Sequence, residues 1–134
     1  MSRIKVSDLM RPAVTSVEHN AHLAAAAYQM KHANDSALIV IDDEEHRTPI
    51  AVITDTDVAN AVADGKDPND VRVSDLVRRE PITIGPEESL SAAAKTMISA
   101  HIHHLPVVAD GQLLGMVDIT DACRGLLDAE QASV

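Results

Sequence analysis

A chain of 134 residues supplies about one domain's worth of polypeptide, enough to bury most of its apolar surface without disulfides or metals. Its formal charge of −10 sets up a field that repels nucleic acid and anionic membranes, and its one aromatic residue, Tyr28, leaves no stacking platform for single strands. One cysteine, Cys123, excludes an intramolecular disulfide, and neither a leader-like opening nor ~18 consecutive apolar residues occur, so a cytoplasmic protein without nucleic-acid or membrane partners is expected.

The first element is VSDLM at 6–10, which reads as a turn, followed by a short β-like run, AVTSV at 13–17. A helix comes next: Leu23, Ala26, Ala27 and Met30 recur at helical spacing and face inward, with Asn20 as N-cap. ALIVI at 37–41 and PIAVI at 49–53, separated by the polar DDEEHRT, predict a hairpin. DDEE is a candidate calcium or magnesium chelator, but carboxylates at a hairpin tip are expected to form a solvated turn. A second helix, VANAVADG, stops at Gly65. The polar connector GKDPNDVR follows.

The order of elements then repeats. VSDLV at 73–77 copies VSDLM, and SLSAAAKTM at 89–97 copies HLAAAAYQM at 22–30, both 67 residues later. LGMVDITDA at 114–122 copies IAVITDTDV at 50–58 with an offset of 64, because the first hairpin loop is longer. The second copy accordingly predicts a β-like PITI and a helix with Leu90, Ala93, Ala94 and Met97 inward and Pro86, Glu87 and Glu88 in its first turn. An LPVV and LLGMV hairpin and a closing helix, ACRGLLDA, complete it. Residues 1–65 form the first repeat, 66–72 the connector, 73–129 the second repeat and 130–134 a fraying tail. The fold class is α/β in an α+β arrangement, a tandem β-α-β-β-α repeat.

This doubled half, with its LPVV strand and closing stretch around GMVDITD, resembles the CBS domain pair, or Bateman module, over nearly the whole chain. The resemblance implies two halves packed about a pseudo-twofold axis, with clefts that hold AMP, ADP, ATP or S-adenosylmethionine as regulatory ligand rather than cofactor. It also implies pairing into a homodimer, for which alanine-rich helices offer flat faces. On the family pattern Thr54 reaches phosphate and Asp57 takes the ribose hydroxyls; a carboxylate accepts two hydrogen bonds from a diol, and a hydroxyl beside helix N–H groups favours phosphate. Without the resemblance, the same residues read as a helix cap with dipole-friendly acids, and Asp55 as solvated or capping. The further ligand-binding residues implied are Val14, Thr15, Ala37 and Leu38, then Ile82, Thr83, His103, His104, Leu105 and Pro106, with Asp118 and Asp121 as counterparts of Thr54 and Asp57. A carboxylate at 118 close to phosphate costs on the order of 1–4 kcal/mol, so phosphorylated ligands are expected to prefer the first cleft. That cleft departs from the family too, with Ala51 for the usual glycine and ALIVI for the LPV strand.

Asp55 and Asp57 in AVITDTDVA also resemble the nucleophile strand of haloacid-dehalogenase-type phosphatases. The chain is short for that fold, shows no evident downstream lysine and metal-carboxylate set, and repeats the segment as DITD without the pair. Other catalytic motifs are absent from the sequence, so no enzyme is expected. His101, His103 and His104 are candidate metal ligands, His101 and His103 sharing a face if the segment is a strand, with Cys123, His22 or His32 as a third ligand. Ordinary surface or cleft-lining histidines are the expected reading. Arg11, Arg78 and Arg79 suit phosphate or, alternatively, ion pairs with Asp8 or Asp75. The function expected is a regulatory adenosine-nucleotide sensor acting through a dimer or an unknown protein partner. The alternatives are a ligand-free interaction module and a metal-responsive variant using 101–104.

Overall fold

The computed structural model describes residues 4–11, 15–77 and 80–132. The predicted helical stripes are the buried ones. α2 (Leu23–Ala33) buries Leu23, Ala26 and Met30, and α5 (Leu90–Ala100) buries Leu90, Ala93 and Met97, with Ala27 and Ala94 half-buried. Both helices end in a left-handed residue, Asn34 at φ 55° and His101 at φ 56°. Asparagine and histidine are among the few non-glycine residues that take this conformation readily.

Two compact units form, and they do not follow the repeats in chain order. One comprises residues 14–81, the other 1–13 with 82–134. In the first, β1 (Ser16–Glu18) runs parallel to β2 (Ala37–Ile41), which pairs antiparallel with β3 (Pro49–Thr54). All five residues of β2 are buried, as befits a central strand. α3 (Asp55–Ala63) follows β3 directly, and Gly65 at φ 78° ends its last turn, as its position in the sequence predicts. The VSDL turn at the start of the second repeat is the one-turn helix α4 (Val73–Leu76), which joins this unit: Val73 is fully buried and its N–H donates to Ala21 O at 2.9 Å.

The other unit pairs β4 (His104–Ala109) with β5 (Gln112–Asp118) antiparallel and continues into α6 (Ile119–Ala132). Its leading turn is α1 (Val6–Leu9), from the start of the chain. Val6 is fully buried there, its N–H bonds to Glu88 O at 2.8 Å, and Leu90 N–H bonds to Ile4 O at 2.8 Å. The β-like PITI run forms no strand. Only Ile84 pairs, in a single parallel bridge to Val107, because prolines at 81 and 86 bracket a segment too short to sustain a ladder.

The helix starts differ from the sequence expectation. α2 begins after His22, not Asn20, and its first N–H groups go to backbone carbonyls of the connector: Leu23 to Val71 O and Ala24 to Pro68 O, each at 2.9 Å. With those donors satisfied, no capping side chain is required. α5 is capped by Ser89, whose hydroxyl accepts Ala92 N–H at 3.0 Å. Pro86, Glu87 and Glu88 form the preceding turn, where Glu88 and Pro86 carbonyls receive α1.

Candidate functional site

β3 delivers Thr54 to the start of α3, where an extended backbone makes it the N-cap. Its hydroxyl accepts Asp57 N–H at 3.2 Å and donates to Asp57 Oδ2 at 3.0 Å, while Oδ2 also accepts Thr54 N–H at 2.8 Å. This is a capping box with an acid at its third position. It satisfies the helix start and also fixes the direction of a half-buried carboxylate. Oδ1 of Asp57 has no hydrogen-bond partner among the described residues. Asp55 is exposed, and its N–H donates to Ser36 O at 2.9 Å. These two residues line an open groove of about 370 Å³ with Met30, Lys31, Asn34 and Asp35.

The second copy builds the same frame from different side chains. Asp118 Oδ1 accepts Asp121 N–H at 2.7 Å, Asp121 Oδ2 accepts Asp118 N–H at 3.3 Å, and Ile119 N–H donates to His103 O at 2.9 Å. Its groove, about 280 Å³, is lined by Met97, Ile98, His101, Ile102, His103 and Ile119. Each of these residues is the repeat counterpart of one lining residue in the other groove. The sequence reading named Asp55, His101 and His103 among these residues, but not Asn34, Ser36 or Ile119, which complete the two grooves. The offsets of 67 and 64 are the signal that finds the second once the first is known.

Arg11 is the largest departure from the sequence reading. Its guanidinium pairs with Asp118 Oδ2 through Nη2 and with Asp121 Oδ2 through Nε at 3.4 Å, rather than with Asp8. The carboxylate of Asp8 instead accepts Lys5 N–H at 3.0 Å. Asp121 is buried, and that burial pushes its carboxyl above the usual carboxylate range. The Asp118 N–H and the Arg11 charge oppose the rise, while the Asp118 charge adds to it.

The remaining candidates scatter. Ala37, Leu38, Leu105 and Pro106 have buried side chains, so a ligand meets little of them but backbone. Thr15 is half-buried, and Ile82 and Thr83 are exposed. Val14, Arg78 and Arg79 lie outside the described residues. His101 caps a helix and β4 begins only at His104, so His101 and His103 do not alternate along a strand. The left-handed turn at 101 breaks the period that the metal reading needed.

Among the described residues, the three side chains that gather as potential metal ligands are Asp42, Asp43 and His46, within 4.8 Å of one another in the exposed β2–β3 loop. The loop is closed by its own bonds: Asp42 Oδ1 takes the N–H groups of Asp43 and Thr48, and Asp43 Oδ1 that of His46. The Asp43 carboxyl is lowered, chiefly by that His46 N–H, and the His46 imidazole is raised by its bond to Asp43. No helix among the described residues is long and apolar enough to cross a membrane.

Protein MJ1225 of Methanocaldococcus jannaschii is 32% identical over 116 residues, which cover 87% of this chain and 40% of that protein, so the chain spans less than half of that relative's length. The solved CBS domain pair of protein MJ0100, in complex with 5'-methylthioadenosine and S-adenosyl-L-methionine, is similar with a TM-score of 0.85 at 24% identity, covering 96% of this chain and 99% of that one. CBSX2 in complex with AMP is similar with a TM-score of 0.78 at 24% identity, over 95% and 98% of the two chains. The CBS domain family matches residues 6–64 and again 73–128, the two repeats whose helix starts carry Thr54–Asp57 and Asp118–Asp121, and the chain belongs to that family.

Proposed function

We propose that this chain is a regulatory CBS pair that takes an adenosine-type ligand at the start of α3 and passes ligand state on through a dimer or partner interface. CBS-domain proteins are generally regulatory, non-catalytic modules. The observation that carries the reading is the Asp57 carboxylate: one oxygen is committed to Thr54, which fixes its direction, while the other has no partner among the described residues. A fixed carboxylate oxygen accepts a ribose diol without reorganising. A phosphate there draws on the Thr56 N–H, which has no partner among the described residues, and on the Thr54 hydroxyl once it turns from Asp57. The structures solved with S-adenosylmethionine, 5'-methylthioadenosine and AMP support the ligand class.

A thermal-shift panel of AMP, ADP, ATP, NAD and S-adenosylmethionine tests this. A ligand at a hundred times its Kd stabilises the native state by about 2.7 kcal/mol and raises the Tm by several degrees. A panel without any shift would sink the reading. In the Asp57→Ala variant the affinity for the responding ligand is expected to fall tenfold or more, with a melting curve lowered by only about 1 kcal/mol for the lost capping acid. Unchanged affinity would leave Asp57 a capping residue and nothing more.

An interface is supported by a separate observation. Val62 on α3 and Leu126 on α6, repeat counterparts, are both exposed, as are Tyr28, Ile98 and Leu127 on helices. Apolar side chains on helix faces suit a second copy of this chain. Light scattering is expected to give twice 14.3 kDa, and a monomer mass at tens of micromolar overturns the homodimer.

A further inference from the structure

The starts of α3 and α6 present the same open acceptor. Oδ2 of Asp57 takes Thr54 N–H at 2.8 Å and Oδ2 of Asp121 takes Asp118 N–H at 3.3 Å, so in both repeats that oxygen is spent on the cap. Oδ1 of Asp121, like Oδ1 of Asp57, has no hydrogen bond among the described residues; it faces Arg124 Nη1 at 3.6 Å, on a side chain that is 63% exposed. What differs is charge. Where the first repeat has the neutral Thr54 hydroxyl, the second has Asp118, whose side chain is only 16% exposed. Arg11 offsets that difference without taking the open oxygen: its Nη2 pairs with Asp118 Oδ2 and its Nε with Asp121 Oδ2 at 3.4 Å. Its backbone is held in place, exchanging hydrogen bonds with Met116 at 2.9 and 3.2 Å beside Gly115, where a Cβ would lie 2.6 Å from the Arg11 carbonyl oxygen.

We propose that Arg11 is the residue that lets the second repeat take a phosphorylated adenosine ligand: it balances the charge of Asp118 and leaves Asp121 Oδ1 to accept the ribose diol, so the chain binds two. The inference rests on the reading of Asp57 given above, carried to its repeat counterpart. Two carboxylates and one guanidinium leave a single negative charge at the start of α6, as Thr54 and Asp57 leave a single one at the start of α3. A phosphate at α6 then meets no more net charge than it meets at α3, and the repulsion expected of a bare Asp118 is offset. Solvent screens little of this pairing, because Asp118 is mostly buried. The Thr120 N–H, like that of Thr56, has no partner among the described residues and is available to the phosphate. The guanidinium comes from 107 residues before Asp118, so a residue of the first repeat sets the specificity of the second.

Calorimetric stoichiometry with AMP as the probe tests this on the full chain. Wild type is expected to bind two AMP, and Asp57→Ala one. Arg11→Gln keeps the side-chain stem and a donor but removes the charge, and is expected to weaken AMP at the second site more than tenfold. Arg11→Lys, which keeps the charge, is expected to bind two. So is Arg11→Gln with Asp118→Thr, which puts the neutral hydroxyl of the first repeat in place of the ion pair. Failure of either rescue overturns the charge argument. If Arg11 only held the fold together, Arg11→Gln would lower the Tm and leave the count at two, which also overturns the proposal. One AMP in wild type that is lost in Asp57→Ala overturns it too, while leaving the Asp57 reading intact. One AMP that is lost in Arg11→Gln but kept in Asp57→Ala supports the role of Arg11 and overturns the Asp57 reading. No AMP bound by wild type overturns both.

Discussion

Asp121 is a buried acid beside a second acid, and its carboxyl is raised chiefly because burial disfavours its charge. A raised acid binds its proton more tightly in the folded state than in the unfolded chain. Its contribution to stability is full below the ordinary carboxylate value of about 3.9 and is lost as pH rises through the raised value. Arg11 opposes the rise. In Arg11→Ala the Asp121 carboxyl is therefore expected to titrate higher than in wild type, read from its side-chain carbon shift by NMR. The same variant should lose about 1–2 kcal/mol at pH 7, discounted because the Arg11 side chain is 42% exposed, and less at pH 4, where Asp121 carries more of its proton. A titration that does not move would mean the guanidinium contributes nothing to the buried charge. Asp43 has the opposite sign: its lowered carboxyl stabilises above the ordinary value and loses that effect as pH falls through the depressed one, though its exposure keeps the effect small.

Between elements, close approach is decided by single glycines. Gly125 lies in the second turn of α6, where glycine is about 1 kcal/mol worse than alanine, so a packing reason must offset it. A Cβ there would come 2.4 Å from Leu90 Cδ2 on α5 and 3.1 Å from Leu9 Cγ on α1. Gly125→Ala is expected to destabilise by up to about 2 kcal/mol net, an overpacking cost of about 1–3 kcal/mol less about 1 kcal/mol gained in helix propensity. Urea denaturation measures it, and a variant as stable as wild type would show that the leucines simply turn aside. The stripes Leu23–Met30 and Leu90–Met97 were legible because a helix repeats every 3.6 residues whatever it packs on. The cap of α2 was not: at His22 the orphan N–H groups are met by carbonyls from 68 and 71, which no local pattern announces.

At the scale of the whole chain, the two VSDL turns pack in the opposite order to the repeats. Val6 belongs to the core with Leu90, Ala93 and Met97, and Val73 to the core with Leu23, Ala26 and Met30. Cutting the chain at 72 therefore removes a fully buried valine, and the backbone pairing around it, from each core. Fragments 1–72 and 73–134 are each expected to be largely unfolded by circular dichroism and to regain helix on mixing. Two independently folded fragments would show that the leading turns are dispensable.

The sequence by itself determined the repeat, the order of elements and the inward stripes, because these follow from periodicity and residue order, and the family entered as a resemblance. It also placed Thr54 and Asp57 at a helix start, with two roles open for them. Only the tertiary structure decided that Asp118 and Asp121 both pair with Arg11, while no guanidinium among the described residues pairs with Asp57. That pairing depends on Arg11, 107 residues from Asp118, lying across Gly115 at the start of α6. Contacts at such separation are set by packing, and no spacing rule along the chain encodes them.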